Sequence, residues 1–126
     1  MKFPYDTGFF PPAPIIEIRL GIPEASLQIG PLTALVDSGA DVSIVPLHYI
    51  KPLGLQVDNR KYLRSAWGER RQVDVYFLDM GIADIRFPLV EIIADELGND
   101  VIIGRNVLNK LVMKLDGPKN LLELLG

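Results

Sequence analysis

The most informative stretch of this chain spans residues 32–46, which read LTALVDSGADVSIVP. Its Ala34-Leu35-Val36 portion is apolar and short, which predicts a strand buried on both faces. The small residues Ser38-Gly39-Ala40 then permit a tight turn, because glycine reaches positive φ without a steric penalty. A second strand is predicted over residues 42–45. This order of elements predicts that the Asp37 carboxylate lies at the floor of a cleft, although Asp, Ser and Gly are also ordinary turn formers.

Composition places the chain among small β proteins. A length of 126 residues predicts one domain with a single core. The hydrophobic fraction of 48%, with 11 Gly and 10 Pro, favours an all-β protein of strands and turns over a helical bundle or a disordered chain. The net charge of −3 provides no basic field for a phosphate backbone, so we expect no nucleic-acid partner.

The composition also indicates in which cellular compartment the protein is expected and which covalent cross-links it can form. The chain has no cysteine, which excludes a disulfide framework and a thiolate metal site. No apolar run reaches the roughly 18 residues that a membrane span needs, and the start Met1-Lys2-Phe3-Pro4 lacks the apolar core of a signal peptide. We therefore expect a cytoplasmic protein with no membrane partner. The single histidine, His48, is expected on the surface rather than as a metal ligand.

Residues 1–14 are predicted to form an N-terminal arm. Four prolines in this segment prevent it from joining the interior of a sheet, so it is expected to lie extended along a surface. The triplet Asp6-Thr7-Gly8 in the arm resembles the Asp37-Ser38-Gly39 turn. No apolar strand precedes the earlier triplet, however, and we do not regard it as a second copy of the central turn.

Alternation of apolar and polar residues predicts further strands. Residues 15–22 alternate in this way, which is typical of a half-buried strand, and residues 26–29 are expected to pair back with it. Gly30-Pro31 is expected to break the chain before the central strand. A helical turn is predicted within residues 47–53.

The middle of the chain predicts a projecting hairpin. It spans residues 61–79, and its turn lies around Trp67-Gly68. Trp67 either enters the core or lies at an exposed tip. Two more strands, residues 81–87 and 89–94, are expected to be separated by Pro88 or by a bend there.

The second informative stretch is residues 100–111, DVIIGRNVLNKL. An apolar strand runs into Gly104, and a helix of about two turns is predicted after it, with Val107, Leu108 and Leu111 on one face. Residues 112–125 are expected to form a terminal hairpin. A helix is the competing interpretation of the final Leu-rich run, since Leu and Glu are good helix formers.

Together the two stretches resemble a known family. ALVDSGADVS at residues 34–43 is similar to the active-site loop of retropepsin-like aspartic proteases, and IIGRNVL at residues 102–108 is similar to a later string of the same family. The resemblance covers most of the chain in order. It implies an all-β, single-lobe β-barrel with one short C-terminal helix, which acts as a homodimer. The protease domain would span residues 15–126.

The resemblance also assigns roles in the active-site loop. Asp37 matches the catalytic aspartate, and Ser38 matches the residue whose hydroxyl bridges to the loop of the partner subunit. Gly39 and Ala40 match residues that line the floor of the cleft.

Two further sites follow from the resemblance. Asp41 matches the acid that pairs with an arginine of the second motif, here Arg105, and we expect this ion pair to be buried beside apolar strands. Ala66, Trp67 and Gly68 occupy the tip of the flap, the hairpin that covers the cleft. This tip is bulkier and its surroundings are more highly charged than in the viral enzymes.

The function implied is that of a homodimeric aspartic endopeptidase. One Asp37 from each chain would form a dyad that activates a water molecule to hydrolyse a peptide bond, chemistry that requires no metal and no cofactor. An alternative is a non-catalytic homodimeric module that binds peptides or acts as a scaffold on the same fold. A third interpretation is a β domain with chance matches to both motifs.

Overall fold

The structure is a computed structural model in which residues 1–64 and 68–125 are described. No helix within these residues has the length and apolar character needed to cross a membrane. The described residues form ten strands, two short α-helices and a 3-10 turn. The elements are β1 Lys2–Pro4, β2 Ile15–Gly21, β3 Ile29–Val36, β4 Ser43–Pro46, α1 Leu47–Ile50, the 3-10 turn Lys51–Leu53, β5 Asn59–Arg64, β6 Arg70–Ile82, β7 Ile85–Asp95, β8 Val101–Ile103, α2 Arg105–Leu108, β9 Val112–Asp116 and β10 Leu121–Leu125.

Seven of the strands form one sheet that closes into a barrel. Their order is β2-β3-β8-β4-β7-β6-β5, and an additional pairing of β2 with β6 closes the sheet on itself. The length of β6 makes the closure possible, because its first half pairs with β5 and its last four residues pair with β2. Closure leaves few exposed strand edges. The predicted all-β, single-lobe barrel is confirmed.

Alternation in the sequence determines which side chains fill the barrel. On β2, Ile16, Ile18 and Leu20 are buried, whereas Glu17 and Arg19 are exposed, as the period of two predicts. Burial of each such aliphatic side chain contributes about 1.5–3 kcal/mol. The half-buried strand predicted over residues 15–22 is therefore confirmed.

The strand before the active-site loop differs from the prediction. Residues 26–29 do not form a separate strand, and Gly30-Pro31 does not break the chain: β3 runs through both residues while paired with β2. A register shift between Ile18 and Leu20 accommodates the proline, which has no N–H to donate to a regular ladder. Gly30 has a φ of 120°, a conformation that favours glycine. Of the Ala34-Leu35-Val36 portion only Ala34 is fully buried.

A second proline also fails to end a strand. The chain reverses at Ala83 and Asp84, and β7 then continues through Pro88 to Asp95. Leu89 has a φ of 49°, and the register with β6 shifts nearby. Of the two alternatives predicted at Pro88, the structure shows the bend and not the separation. The strand predicted over residues 81–87 was wrong, because the chain reverses within it at Ala83 and Asp84.

The C-terminal elements are partly as predicted. The hairpin of β9 and β10 is confirmed, and the competing helix is wrong, since Leu122 of β10 is fully buried in the core. The helix after Gly104 has one turn rather than two. Tighter hydrogen bonds follow α2, from Lys110 N to the Val107 carbonyl and from Leu111 N to the Leu108 carbonyl, and these end the helix before β9 begins.

The N-terminal arm is tied down at two points. Its residues Lys2–Pro4 form β1, which pairs with β10 in a three-stranded sheet of order β1-β10-β9. Phe3 is buried in the core. At the other end, the Pro14 carbonyl accepts a hydrogen bond from Val36 N at 3.2 Å. The division into an arm over residues 1–14 and a domain over residues 15–126 remains a prediction.

A buried carboxylate joins the turn after β2 to β7. Asp79 accepts hydrogen bonds from Glu24 N at 3.0 Å, from Leu89 N at 2.9 Å and from Arg86 Nε at 2.9 Å. Burial alone would raise the pKa of Asp79, but the two N–H groups and the Arg86 guanidinium together hold it below its ordinary value of 3.8. The charged form of Asp79 therefore stabilises the fold.

We expect the substitution Asp79→Asn to lower the free energy of unfolding by about 3 kcal/mol. The new NH2 group cannot accept a hydrogen bond from the N–H donors around it, and Arg86 loses its counter-charge. The pKa is lowered on folding, so the stabilisation is complete above about pH 5 and is lost as pH falls through 3.8 toward the folded value. Urea unfolding at several pH values measures both effects. The variant should lose less stability than the wild type between pH 5 and 3.

Asp84→Asn, in the exposed turn between β6 and β7, is the matched control and should follow the wild type. Equal stability of Asp79→Asn and Asp84→Asn at pH 7 would contradict the stabilising role of Asp79.

Candidate active site

Parallel pairing brings the two motifs of the sequence together. β3 and β8 are parallel neighbours, with Val36 opposite Ile103 at their carboxyl ends. The chain leaves both strands at the same edge of the sheet, and Asp37 N donates a hydrogen bond to the Ile103 carbonyl at 3.0 Å. The loop after β3 and α2 after β8 are therefore neighbours.

The loop is a tight turn around the Asp37 carboxylate. Gly39 N donates to Asp37 Oδ1 at 2.9 Å, and Ala40 N donates to the Asp37 carbonyl at 3.2 Å. Asp37, Ser38 and Gly39 are exposed in the single chain, and Ala40 is half-buried. The carboxylate thus lies on an open surface, and any cleft around it needs a further wall.

Gly104 lets α2 approach the loop closely. A Cβ atom at Gly104 would lie 2.7 Å from the Val42 carbonyl oxygen and 2.8 Å from that of Ala40, distances that real Cβ atoms do not show. With no side chain in the way, Arg105 N donates to the Ala40 carbonyl at 2.8 Å. Asn106 N donates to the Asp41 carbonyl at 3.2 Å.

Arg105 holds the loop through its side chain as well. Its Nη1 donates to the Ser38 carbonyl at 2.8 Å, and its Nη2 forms an ion pair with Asp41 Oδ1. The two side chains lie at the surface of the single chain, with 83% of Asp41 and 43% of Arg105 exposed. An exposed pair of this kind contributes about 0–1 kcal/mol, far less than the buried pair expected from the sequence. The apolar strands that flank Asp41 and Arg105 in the sequence do not cover the two charges, because both residues lie beyond the ends of those strands.

Ser43 and Asn106 form a buried polar contact that the sequence reasoning missed. Ser43 Oγ accepts a hydrogen bond from Gly104 N at 3.0 Å and donates one to Asn106 Oδ1 at 2.9 Å. Asn106 Nδ2 then donates to the Glu91 carbonyl at 2.8 Å. The available signal was the alternation of β4, which places Ser43 on the same buried face as Val45, where a hydroxyl needs a partner.

The hairpin of β5 and β6 is confirmed, with Arg64 opposite Arg70 next to its turn. Of the predicted flap residues, Ala66 and Trp67 lie outside the described residues. Gly68 is exposed and has a φ of 82°, and a Cβ atom added to it would meet no atom of the described residues within 4 Å.

Ion pairs fasten this hairpin to β7. Lys61 pairs with the carboxylate of Glu91, and Arg71 Nη2 lies 3.4 Å from Asp95 Oδ1. Burial alone would raise the pKa of Asp95, but the N–H groups of Leu97 and Gly98 together with Arg71 hold it below its ordinary value. Glu91 has contacts on two sides. Its carboxylate pairs with Lys61 of the hairpin, and its carbonyl accepts the hydrogen bond from Asn106 of α2.

The described residues contain no group of three or more His, Cys, Asp or Glu side chains placed to hold a metal ion. His48 lies exposed on α1, with its ring centroid 4.1 Å from that of Tyr49.

A closed single-lobe barrel that carries an Asp-Ser-Gly turn beside a Gly-Arg-Asn helix defines the retropepsin-like aspartic protease class. A family model described as gag-polyprotein putative aspartyl protease matches residues 24–110. The chain belongs to this family. Comparison with curated protein sequences finds no significant match.

Solved structures share the fold at low sequence identity. A retropepsin-like aspartic protease from Rickettsia conorii aligns with a TM-score of 0.69 and 16% identity over 98% of this chain and 88% of its own. The simian foamy virus (mac) protease aligns with a TM-score of 0.52 and 15% identity, covering 76% and 92%. The retroviral protease-like domain of Ddi1 from Leishmania major aligns with a TM-score of 0.51 and 24% identity, covering 87% of each chain.

We expect Ser43→Ala to lower the free energy of unfolding by about 1–3 kcal/mol, because it leaves Gly104 N and Asn106 Oδ1 without their shared partner in a buried place. Thermal or urea unfolding measures the change. The exposed Ser26→Ala is the matched control and should alter stability by less than about 0.5 kcal/mol. Equal unfolding midpoints for the two variants would contradict a structural role for Ser43.

Proposed function

We propose that the chain is a homodimeric aspartic endopeptidase that hydrolyses peptide bonds with one Asp37 from each subunit. The observation that carries the proposal is the Asp37 turn itself, which is exposed at the end of β3 and braced from behind by Arg105. Membership of the aspartyl protease family and the fold shared with the Rickettsia and foamy virus proteases support it.

The reaction follows from the chemistry of paired carboxylates. Two carboxylates held about 3 Å apart cannot both ionise readily, so the pair shares one proton. The ionised partner acts as a general base toward a bound water molecule, while the protonated partner donates a hydrogen bond to the carbonyl oxygen of the peptide bond. Because one chain offers a single Asp in this setting, the second must come from an identical subunit across a two-fold axis.

The remaining site residues have supporting roles in this proposal. The Ser38 hydroxyl bridges to the loop of the partner subunit, and Gly39 and Ala40 line the floor beneath the substrate. Arg105 and Asp41 brace the loop from outside the cleft. The hairpin tip at residues 66–68 covers an extended peptide segment.

The proposal extends to setting and partners. The substrate is a peptide or protein, and neither a nucleic acid nor a membrane is expected to bind a chain with a net charge of −3 and no long apolar run. We propose cytoplasmic residence, with which a cysteine-free composition is compatible.

We expect Asp37→Asn to reduce peptide cleavage roughly 100-fold or more, because an amide cannot act as the general base. Cleavage of a diverse peptide library, analysed by mass spectrometry, measures the loss. Asp6→Asn is the matched control, since Asp6 Oδ1 accepts a hydrogen bond from Gly8 N at 2.8 Å in a similar turn, and this variant should cleave like the wild type.

Full activity of Asp37→Asn would contradict the mechanism. Peptide binding without cleavage by the wild type would favour the non-catalytic peptide-binding or scaffold module instead.

We also expect the rate of cleavage to peak on the acidic side of neutrality and to decline as pH rises, because the dyad works only while it holds one proton. Initial rates between pH 3 and 9 measure the profile, and pepstatin-type transition-state analogues should inhibit. A rate that still rises at pH 9, or inhibition by chelators but not by these analogues, would contradict a shared-proton mechanism.

A further inference from the structure

A cavity of about 310 Å³ lies between the N-terminal arm, one face of β3, α1 and the segment that leads into β8. Its volume is within the range of pockets that hold small ligands. The residues that line it include Asp6, Phe9, Thr33, Leu35, Tyr49 and Asp100. None of these side chains has a part in the reaction proposed above.

The alternation of β3 connects this cavity to the candidate catalytic residue. Side chains two residues apart on a strand point to the same face, so Thr33 and Leu35 share the face that Asp37 continues at the end of the strand. Along the backbone, Leu35 is roughly 7 Å from Asp37 and Thr33 roughly 13 Å. The cavity is therefore within reach of side chains close to a peptide bond that is held at Asp37.

Asp100 lies at the end of the cavity that is farther from Asp37. It precedes Val101, which pairs with Ala34 in the parallel register, so Asp100 is level with Thr33. Asp100 is exposed, and its carboxylate has no hydrogen bond or ion pair with any other described residue.

The charge of the cavity is negative and is not balanced within it. Asp6 also lines the cavity, but its Oδ1 accepts a hydrogen bond from Gly8 N at 2.8 Å, which leaves Asp100 as the carboxylate without a partner. None of the described residues in the lining is a lysine, an arginine or a histidine. A cation that enters the cavity is therefore attracted to Asp100 without competition from a positive side chain in its walls.

The rest of the lining suits an aliphatic chain. Leu35, on the side of Asp37, is half-buried, and the half-buried rings of Phe9 and Tyr49 also line the cavity. Lysine and arginine side chains have an apolar stem next to the backbone and a charge at the tip, and aromatic faces attract that charge as well. The order from apolar near Asp37 to acidic at Asp100 matches the order of groups along such a side chain.

We infer that Asp100 makes the chain select substrates with a lysine or arginine side chain near the bond that is cleaved. This inference rests on the proposed function, which places that bond at Asp37. The cation is at the first or the third residue from the bond, because alternate side chains of an extended peptide face the same wall. Each subunit of the homodimer contributes one such cavity, so the preference holds on both sides of the bond. An acidic side chain is rejected there, since it meets a like charge.

Cleavage of extended peptides by the full chain tests the selection. Matched peptides carry lysine, its uncharged analogue norleucine, or glutamate at one position, and mass spectrometry of mixtures gives the ratios of kcat/KM. We expect lysine to be preferred over norleucine roughly three- to tenfold, between the effect of an exposed ion pair and that of a charged hydrogen bond shielded from water. Equal cleavage of the three peptides at every position, or a preference for norleucine, would overturn the inference.

Variants of Asp100 assign the preference to this carboxylate. Asp100→Asn should abolish the preference for lysine, Asp100→Glu should keep most of it, and Asp100→Lys should reverse it in favour of glutamate. Asp84→Asn removes an exposed carboxylate that does not line the cavity, so this matched control should keep the wild-type ratio. The same ratio in Asp100→Asn and Asp84→Asn would contradict the role of Asp100.

A binding measurement separates this inference from the proposed catalysis. Fluorescence anisotropy gives the affinity of labelled lysine and norleucine peptides for Asp37→Asn, which lacks the proposed general base, and for a wild-type chain should it prove inactive. A lysine preference in binding by a wild-type chain that cleaves no peptide supports the inference and contradicts the proposed function. Cleavage without a preference for a cation contradicts the inference and leaves the Asp37 mechanism intact. A chain that neither binds nor cleaves any of the peptides contradicts both.

Discussion

The lack of a side chain at Gly104 is the constraint on which the candidate site depends. Because the backbone at this position lies against the carbonyl groups of Ala40 and Val42, the N–H groups of the next two residues reach the loop carbonyls directly. Backbone contact of this kind is stiffer than contact through long side chains, since no rotamer has to be fixed to maintain it. The shape of the Asp37 turn is therefore determined by a segment that is distant in the chain.

The same contact begins a polar connection from the loop to the hairpin. Ser43 and Asn106 carry it through the interior to the Glu91 carbonyl, and the Glu91 carboxylate meets Lys61 of the hairpin. The inner part of this connection is buried, where hydrogen bonds are stronger and an unpaired group is costly. The base of the hairpin and the floor of the loop are thus positioned against one framework, whereas the surface ion pair of Arg105 adds little to stability.

The sequence predicted what local patterns encode and missed what distant contacts decide. Alternation identified β2 and the hairpin, and the apolar run before Asp37 identified the central strand. Gly30-Pro31 was misjudged because the compensating register shift lies on the neighbouring β2, which no local rule describes. The ion pair of Asp41 and Arg105 was wrongly predicted to be buried. The sequence shows that both residues follow apolar strands, but it does not show which surfaces surround the ends of those strands. The partners of Asp79 come from the turn after β2 and from β7, so its role emerged only from the folded chain.

Two similar triplets in this chain have the same local geometry but lie in different structural surroundings. Asp6-Thr7-Gly8 and Asp37-Ser38-Gly39 make the same hydrogen bond, from the glycine N–H to Asp Oδ1, at 2.8 and 2.9 Å. Only the second follows a strand paired in parallel with β8 and contacts an arginine through a loop carbonyl. A triplet therefore specifies a turn, and the framework around it specifies where the carboxylate is presented. Since that framework leaves Asp37 exposed in the single chain, the proposed catalysis requires a second subunit and the substrate to complete the environment of its carboxylate.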